Sequence, residues 1–150
     1  MKNLYDLSQA EEVKQRLLRL RPDSQRLWGK MEVAQMMAHC SAALEMGTGL
    51  VRPPRLPVGR LIGWAIKPLV LRDEEPMRRN VPTAKALLAP PDCDFAVEQK
   101  RLRELIECFA AAGPAGCTTH PHFIFGRLTP EQWSVLMYKH LDHHLRQFGV

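Results

Sequence analysis

Proline is spread unevenly along this chain: eight of the twelve prolines lie within residues 51–93. Proline lacks a backbone donor and its ring collides with the preceding helical turn, so a long regular element across that stretch is excluded. On either side the pattern changes. Apolar residues recur at steps of three and four, the spacing that gives a helix one buried stripe. The chain therefore divides into two helical halves joined by an irregular excursion. No segment pair reads as a strand pair, and there is no internal repeat.

In the first half, Ser8-Gln9-Ala10-Glu11 has the form of a capping box and places the start of a first helix at Ser8. Val13, Leu17, Leu18 and Leu20 form its apolar stripe, and Pro22 with Asp23 and Ser24 ends it. A second helix is expected over 31–46, closed by Gly47 and Gly49. Within the excursion one short helix, 59–71, is compatible with the prolines. A third long helix covers 94–112 with Asp94 as N-cap and Gly113-Pro114 as its stop. Thr129-Pro130-Glu131-Gln132 opens the last, with Thr129 as N-cap and Pro130 at the first helical position. Four long helices in 150 residues predict a single all-α domain over 1–150, a four-helix bundle. The two short loops suit antiparallel neighbours. The excursion is long enough to run back along the bundle, which makes the second and third long helices parallel. The expected topology is up-down-down-up with a proline-rich crossover.

The balance of 45% hydrophobic and 25% charged residues is that of an ordinary soluble domain. The longest apolar stretch, 61–71, is interrupted by Gly63, Lys67 and Pro68 and falls far short of the ~20 residues that span a bilayer. The N-terminus carries a charged amphipathic pattern without the apolar core of a signal peptide. Cys40, Cys93, Cys108 and Cys117 form no CxxC pair and read as reduced thiols, which suits a cytoplasmic, bacterial-type protein. Of the net charge of +5, most lies between Leu50 and Asn80, where Arg52, Arg55, Arg60, Lys67, Arg72, Arg78 and Arg79 face Asp73, Glu74 and Glu75. A solvated basic flank explains this; attraction of an anionic substrate or surface is the functional reading. No recognition helix or aromatic platform points to nucleic acid.

Three of the six histidines fall within five residues: His140, His143 and His144. His140 and His144 are one helical turn apart on the stripe of Trp133, Leu136 and Gln147, so they face inward. His39 shares an inward stripe with Gln35, Met36, Ala43 and Met46 on the second helix. Three buried neutral imidazoles need several partners, each unpaired one costing ~1–3 kcal/mol. A shared divalent metal would accept one lone pair from each, and the three nitrogens with water suit an open zinc site, or nickel, iron or copper. The bland alternative is a histidine cluster that fills the core or complements the helix dipole. His143 lies one position off the stripe, at a second layer around the ligands or at the surface, with Asp142 expected to be exposed beside it. Gln147 either bonds to ligands or substrate or caps the helix. His120 and His122 precede the last helix, far from His144 along its axis, and are expected to be structural beside Pro121 and Phe123.

Several stretches carry a resemblance to a known group. They are Pro22-Asp23-Ser24 through Trp28-Gly29-Lys30-Met31, Gln35-Met36 with His39, Arg79-Asn80 with Pro82-Thr83, His120-Pro121-His122 with Phe125-Gly126, and above all Tyr138-Lys139-His140-Leu141-Asp142-His143-His144-Leu145-Arg146-Gln147-Phe148-Gly149. With them the chain resembles the DinB/YfiT-like superfamily of small helical metalloenzymes, in a branch known only as a domain of unknown function. The resemblance implies a bundle with a long crossover. It also implies one divalent metal, nickel or zinc first and iron, manganese or copper otherwise, on His39, His140 and His144. Some members of the superfamily use low-molecular-weight thiols, as S-transferases or isomerases, so the resemblance extends to a metal that activates a thiolate or water against a small-molecule substrate.

Two functions follow. One is a metal-dependent transferase or hydrolase, in which Gln35, His143, Gln147, Arg79 and Asn80 line or support the site and Arg78, Arg79 and Asn80 serve as a lid or anion contact. The other is a non-catalytic helical interaction module with a vestigial or structural histidine cluster. A homodimer fits either. A variant of the second lays the basic 52–72 segment on anionic lipid, which Pro68 and two glycines disfavour.

Overall fold

The computed structural model describes residues 1–72, 76–81 and 87–150. Pro82-Thr83 and the acidic run Asp73-Glu74-Glu75 lie outside the described residues. Among the described residues there are five α-helices and no strand: α1 (Leu7–Leu17), α2 (Val33–Thr48), α3 (Pro57–Leu71), α4 (Phe95–Ala112) and α5 (Pro130–Gln147). A 3-10 turn (Gly113–Gly116) follows α4.

The caps of α4 and α5 are those expected. The Asp94 carboxylate accepts from Val97 N, and Thr129 Oγ1 accepts from Gln132 N while Gln132 Oε1 accepts from Thr129 N. α1 differs. Its N-cap is Asp6, whose carboxylate accepts from Ser8 N and Gln9 N and from the Ser8 hydroxyl at 2.6 Å. A carboxylate two residues upstream is the stronger acceptor, so Ser8 donates from inside the first turn instead of capping it. α1 also stops at Leu17, well before Pro22; Leu18 is its C-cap and is exposed, while Leu20 is buried by the following turn. α2 ends on Gly49, at φ +82, a left-handed value natural to glycine. Gly47, expected beyond the helix, lies within it and is buried.

α2 packs on α4 and α5, and α1 packs on the same two helices. Sequence neighbours α1 and α2 are not among the principal packed pairs, nor are α4 and α5. The early end of α1 leaves residues 18–32 as connection, long enough to cross the bundle instead of turning back beside it. The first residues of the chain meet the start of α5, with Tyr5 N donating to Ser134 Oγ at 3.0 Å, and Tyr5 stacks on Phe109 near the end of α4. At the other end of α1, Gln99 donates to the Leu17 carbonyl and Arg16 meets Asp142. Trp133, Leu17, Met36, Met37, Leu44, Leu102 and Ile106 form the centre of the core.

α3 begins with Pro57 at its first turn and lies against α5 and the turn 122–126. It approaches so closely that a Cβ at Gly63 would overlap the Ile124 carbonyl oxygen, and one at Gly59 would meet the Ile124 backbone. The two glycines are the seat of the helix, not its interruption.

Asp142, expected at the surface, is buried. It accepts from Arg16 at 2.7 Å and pairs with Arg146 at 2.8 Å, and Arg16 also donates to the Val150 carbonyl. One carboxylate thus ties α1 to the last turns of α5. Its neighbour His143 had placed it at the edge of the stripe, but packing of α1 covers that edge. Removing one partner of such a covered pair strands the other charge, so Arg16→Ala is expected to destabilise the protein by about 3 kcal/mol in urea unfolding; a loss below about 1 kcal/mol would mark the pair as a solvated one.

Candidate metal centre

α2 and α5 face each other where His39 meets His140 and His144. The ring centroids form a near-equilateral triangle: 4.8 Å from His39 to His140, 4.9 Å from His39 to His144, and 4.7 Å from His140 to His144. One nitrogen from each ring lies within 4.8 Å of the others. His39 and His144 are buried and His140 is partly so.

The tautomers of two rings follow from groups that can only accept. His39 Nδ1 lies 2.9 Å from the Leu87 carbonyl oxygen. A carbonyl has no proton to give, so Nδ1 carries the hydrogen and Nε2 keeps its lone pair. His144 Nδ1 lies 2.8 Å from Gln147 Oε1. Gln147 cannot be turned over, because its Nε2 donates to the Trp28 carbonyl at 2.7 Å. His144 Nδ1 is therefore a donor and its Nε2 is also a lone pair. Gln147 is itself 3% exposed, and its own carbonyl accepts from Leu27 N at 2.7 Å. Gly29 holds this turn at φ +82, and a Cβ there would collide with Gln147 Nε2.

His39 Nε2 stands 2.9 Å from His140 Nε2. Without a proton between them these two lone pairs repel; a cation, or a proton on His140, joins them. Burial lowers the pKa of all three rings. For His140 the neighbouring His144 and His39 add to it and the shift is large. For His144 burial and then His39 bring it to about 3. For His39 burial acts alone, opposed by the Leu87 carbonyl. Neutral imidazoles with inward lone pairs are the form a metal needs. Nitrogens on a tetrahedral zinc at ~2.1 Å stand about 3.4 Å apart, within the range these rings span. The donor set fits a borderline divalent ion, and each outer ring nitrogen of His39 and His144 is held as metal-binding histidines commonly are.

The other expected residues are placed as follows. His143 is half-buried, with its ring 5.0 Å from His144 and 5.7 Å from Trp28; burial lowers its pKa and a hydrogen bond to the Met77 backbone opposes this. Arg79 is exposed and stacks over the Trp28 ring at 4.0 Å. Trp28 Nε1 is buried with no acceptor among the protein groups. Asn80 is exposed and adopts φ +57. Gln35, one turn before His39, uses its Oε1 to accept from Glu32 N at 3.0 Å. His120 is half-buried and its backbone N donates to Thr118 Oγ1. His122 is buried, with Nδ1 accepting from Ile124 N and Phe125 N, and pairs with Gly126 through both backbone groups. It organises the turn under α3.

Sequence reasoning missed two supports of the site. Leu87 acts through its carbonyl, which no side-chain pattern reveals. The Trp28-Gly29 turn was visible as a stretch but not as the clamp on Gln147; a glycine shortly before the start of the second helix was the available signal.

The chain belongs to the family described as "Protein of unknown function (DUF1569)", whose model matches residues 2–149. No curated protein and no solved structure matches it.

His122 provides a pH test apart from the trio. Its pKa is lowered from 6.5 to about 3 by burial. The unfolded chain takes up a proton below pH 6.5 that the folded chain refuses until about 3. The contribution is thus intact above 6.5 and is lost as pH falls, by about 1.4 kcal/mol per unit. Urea unfolding of His122→Asn is expected to give a slope against pH shallower by about that amount between roughly pH 6 and 4; equal slopes would place the proton elsewhere.

Proposed function

We propose that this protein is a divalent-metal-dependent enzyme of the DinB-like superfamily, with His39, His140 and His144 as metal ligands. The observation that carries the reading is the orientation of the outer nitrogens. Leu87 and Gln147 commit Nδ1 of His39 and of His144 as donors, which leaves His39 Nε2 as a lone pair 2.9 Å from His140 Nε2 and leaves the lone pair of His144 on its Nε2, in a cluster where one nitrogen of each ring lies within 4.8 Å of the others. A divalent cation would accept these lone pairs together, whereas one proton on His140 Nε2 is shared with one acceptor at a time.

The bundle suits that role. We read it as up-down-down-up, supported by three pairs of contacts. α1 runs alongside α5, from Tyr5 at Ser134 to Arg16 at Asp142. It runs opposite to α4, from Tyr5 at Phe109 to Leu17 at Gln99. Gly47 at the end of α2 adjoins both Phe109 and Trp133. The proline-rich segment is then the crossover, and it brings Leu87 to His39 and Met77 to His143.

When bound, the metal supplies Lewis-acid chemistry, holding a low-molecular-weight thiol as thiolate or activating water toward a small electrophile. Nickel and zinc are the first candidates, with iron, manganese and copper behind them. The residues of the chain position and select. Gln147 fixes the ring plane of His144. His143, bonded to the Met77 backbone, stands beside His144 where it meets a substrate proton. Trp28 Nε1 and the Arg79 guanidinium above its ring offer donors to an anionic or carbonyl group of the substrate. Exposed Asn80, next to Arg79, and Gln35, one turn before His39, are the further residues we assign to face substrate. We assign the protein to the cytoplasm, where reduced thiols are available.

One observation favours a second reading, a non-catalytic interaction module. At 2.9 Å the His39–His140 pair is also a good imidazole–imidazole hydrogen bond if His140 carries its proton on Nε2. Metal content separates the two. Untagged protein is expected to hold about one metal per chain by inductively coupled plasma mass spectrometry, lost in His39→Ala and in His140→Ala. Protein still empty after incubation with nickel and zinc would favour the module. Gln147→Leu keeps the three ligands but releases His144 Nδ1, and is expected to weaken metal binding by about 10–100-fold in competition with a chelator; unchanged affinity would show that Gln147 only secures the chain end.

A further inference from the structure

α3 is apolar on two sides and covered on one. Its inner side is the Gly59–Gly63 seat on the 122–126 turn, reinforced by Leu56 N donating to the Phe123 carbonyl. Its outer side is open. Leu61 and Trp64 are each 75% exposed, Leu69 63%, Val58 53% and Ile62 44%. At the helical period these side chains share one arc of roughly 160°. Within α3 no charged residue interrupts it, with Arg72 following at the C-cap, and a contiguous exposed patch of this kind on a helix marks an interaction surface.

The charge around the patch selects the occupant. Arg52, Arg55, Arg60, Lys67 and Arg72 lie in the segment 50–72, which contains no acidic residue. Arg52, Arg55 and Lys67 donate to the carbonyls of Gly49, Gly59 and Arg127, which orient the cations without neutralising them. On the helix, Arg60 and Lys67 stand on the border between the open arc and the seated face. A second copy would set this basic segment against itself across a two-fold axis, since such an interface pairs the same patch with itself. An anionic lipid surface offers the opposite charge at the headgroups and an apolar layer just beneath them. α3 is also the wrong size to cross a bilayer: no described helix is long and apolar enough.

We propose that α3 docks this protein onto anionic lipid, lying in the plane of the interface. Leu61, Trp64 and Leu69 enter the acyl boundary, and Arg60 and Lys67 remain at headgroup level. The glycines and Pro68, which disfavour a free amphipathic helix, do not oppose this, because Gly59 and Gly63 face the protein and α3 is already folded on it. The docking face is separate from the histidine triangle and does not depend on metal.

Sedimentation of the full chain with vesicles tests it, using phosphatidylcholine alone and phosphatidylcholine mixed with phosphatidylglycerol. Wild type is expected to sediment with the mixed vesicles only, and less as salt is raised. Leu61→Ser/Leu69→Ser keeps every charge and the seated face; it is expected to lose at least about tenfold in partitioning. Arg60→Glu/Lys67→Glu is expected to lose as much, and His39→Ala to bind like wild type. Circular dichroism confirms that each variant is folded. The proposal is overturned if wild type stays in the supernatant with mixed vesicles, or if Leu61→Ser/Leu69→Ser binds equally, which would mark simple adsorption of a basic protein. It is also overturned if light scattering finds a dimer that this variant dissociates while wild type ignores the vesicles.

Discussion

The carboxamide of Gln147 has one orientation open to it, and the histidine triangle inherits its polarity from that. Its nitrogen must donate to the Trp28 carbonyl, so its oxygen must accept from His144 Nδ1. The lone pair of His144 is thereby left on Nε2, on a ring whose centroid stands 4.9 Å from that of His39 and 4.7 Å from that of His140. The Leu87 carbonyl does the same for His39 from the opposite side. A backbone oxygen is a suitable device for this: it cannot change protonation state, rotate out of its peptide plane or be replaced by a side-chain mutation at its own position.

The rest of the fold keeps these oxygens in place. Gly29 allows the 27–29 turn to close over Gln147, where any Cβ would push the amide away. The Arg16–Asp142–Arg146 cluster fixes the last turns of α5 against α1, two residues from His140 and from His144 alike. His122 holds the turn on which α3 is seated. Each of these gives a buried side chain at least one hydrogen-bond or ion-pair partner, and partnered polar groups rigidify a core where unpartnered ones weaken it. Burial then keeps the imidazoles neutral, and neutrality is what makes converging lone pairs chemically useful.

Much of this was legible in the sequence because it depends on periodicity and caps. The three- and four-residue steps selected His39, His140 and His144 as inward, and Asp94, Thr129 and Pro130 marked helix starts that the structure keeps. Where side chains compete locally, the reading slipped. Ser8 looked like a cap because nothing in the spacing ranks it against Asp6 as an acceptor. Asp142 looked exposed because its partner, Arg16, is 126 positions away. α1 and α2 are not principal packing neighbours, and the end of α1 at Leu17, five residues before Pro22, lengthens the connection between them beyond what the sequence pattern marked. Leu87 was invisible because its contribution is a carbonyl.

The central claim is one of proton placement, and nitrogen-15 NMR of histidine-labelled, metal-free protein reads it directly. Long-range nitrogen–carbon-bound-proton correlations distinguish a protonated Nδ1 from a protonated Nε2. The account predicts His39 and His144 with the proton on Nδ1 and His122, which accepts at Nδ1, with the proton on Nε2. Addition of zinc should then move the Nε2 signals of His39 and His144 while leaving His122 unchanged. Protonated Nε2 on either His39 or His144 would contradict it, because the lone pairs would then face the wrong oxygens and the triangle would have no common point to bind.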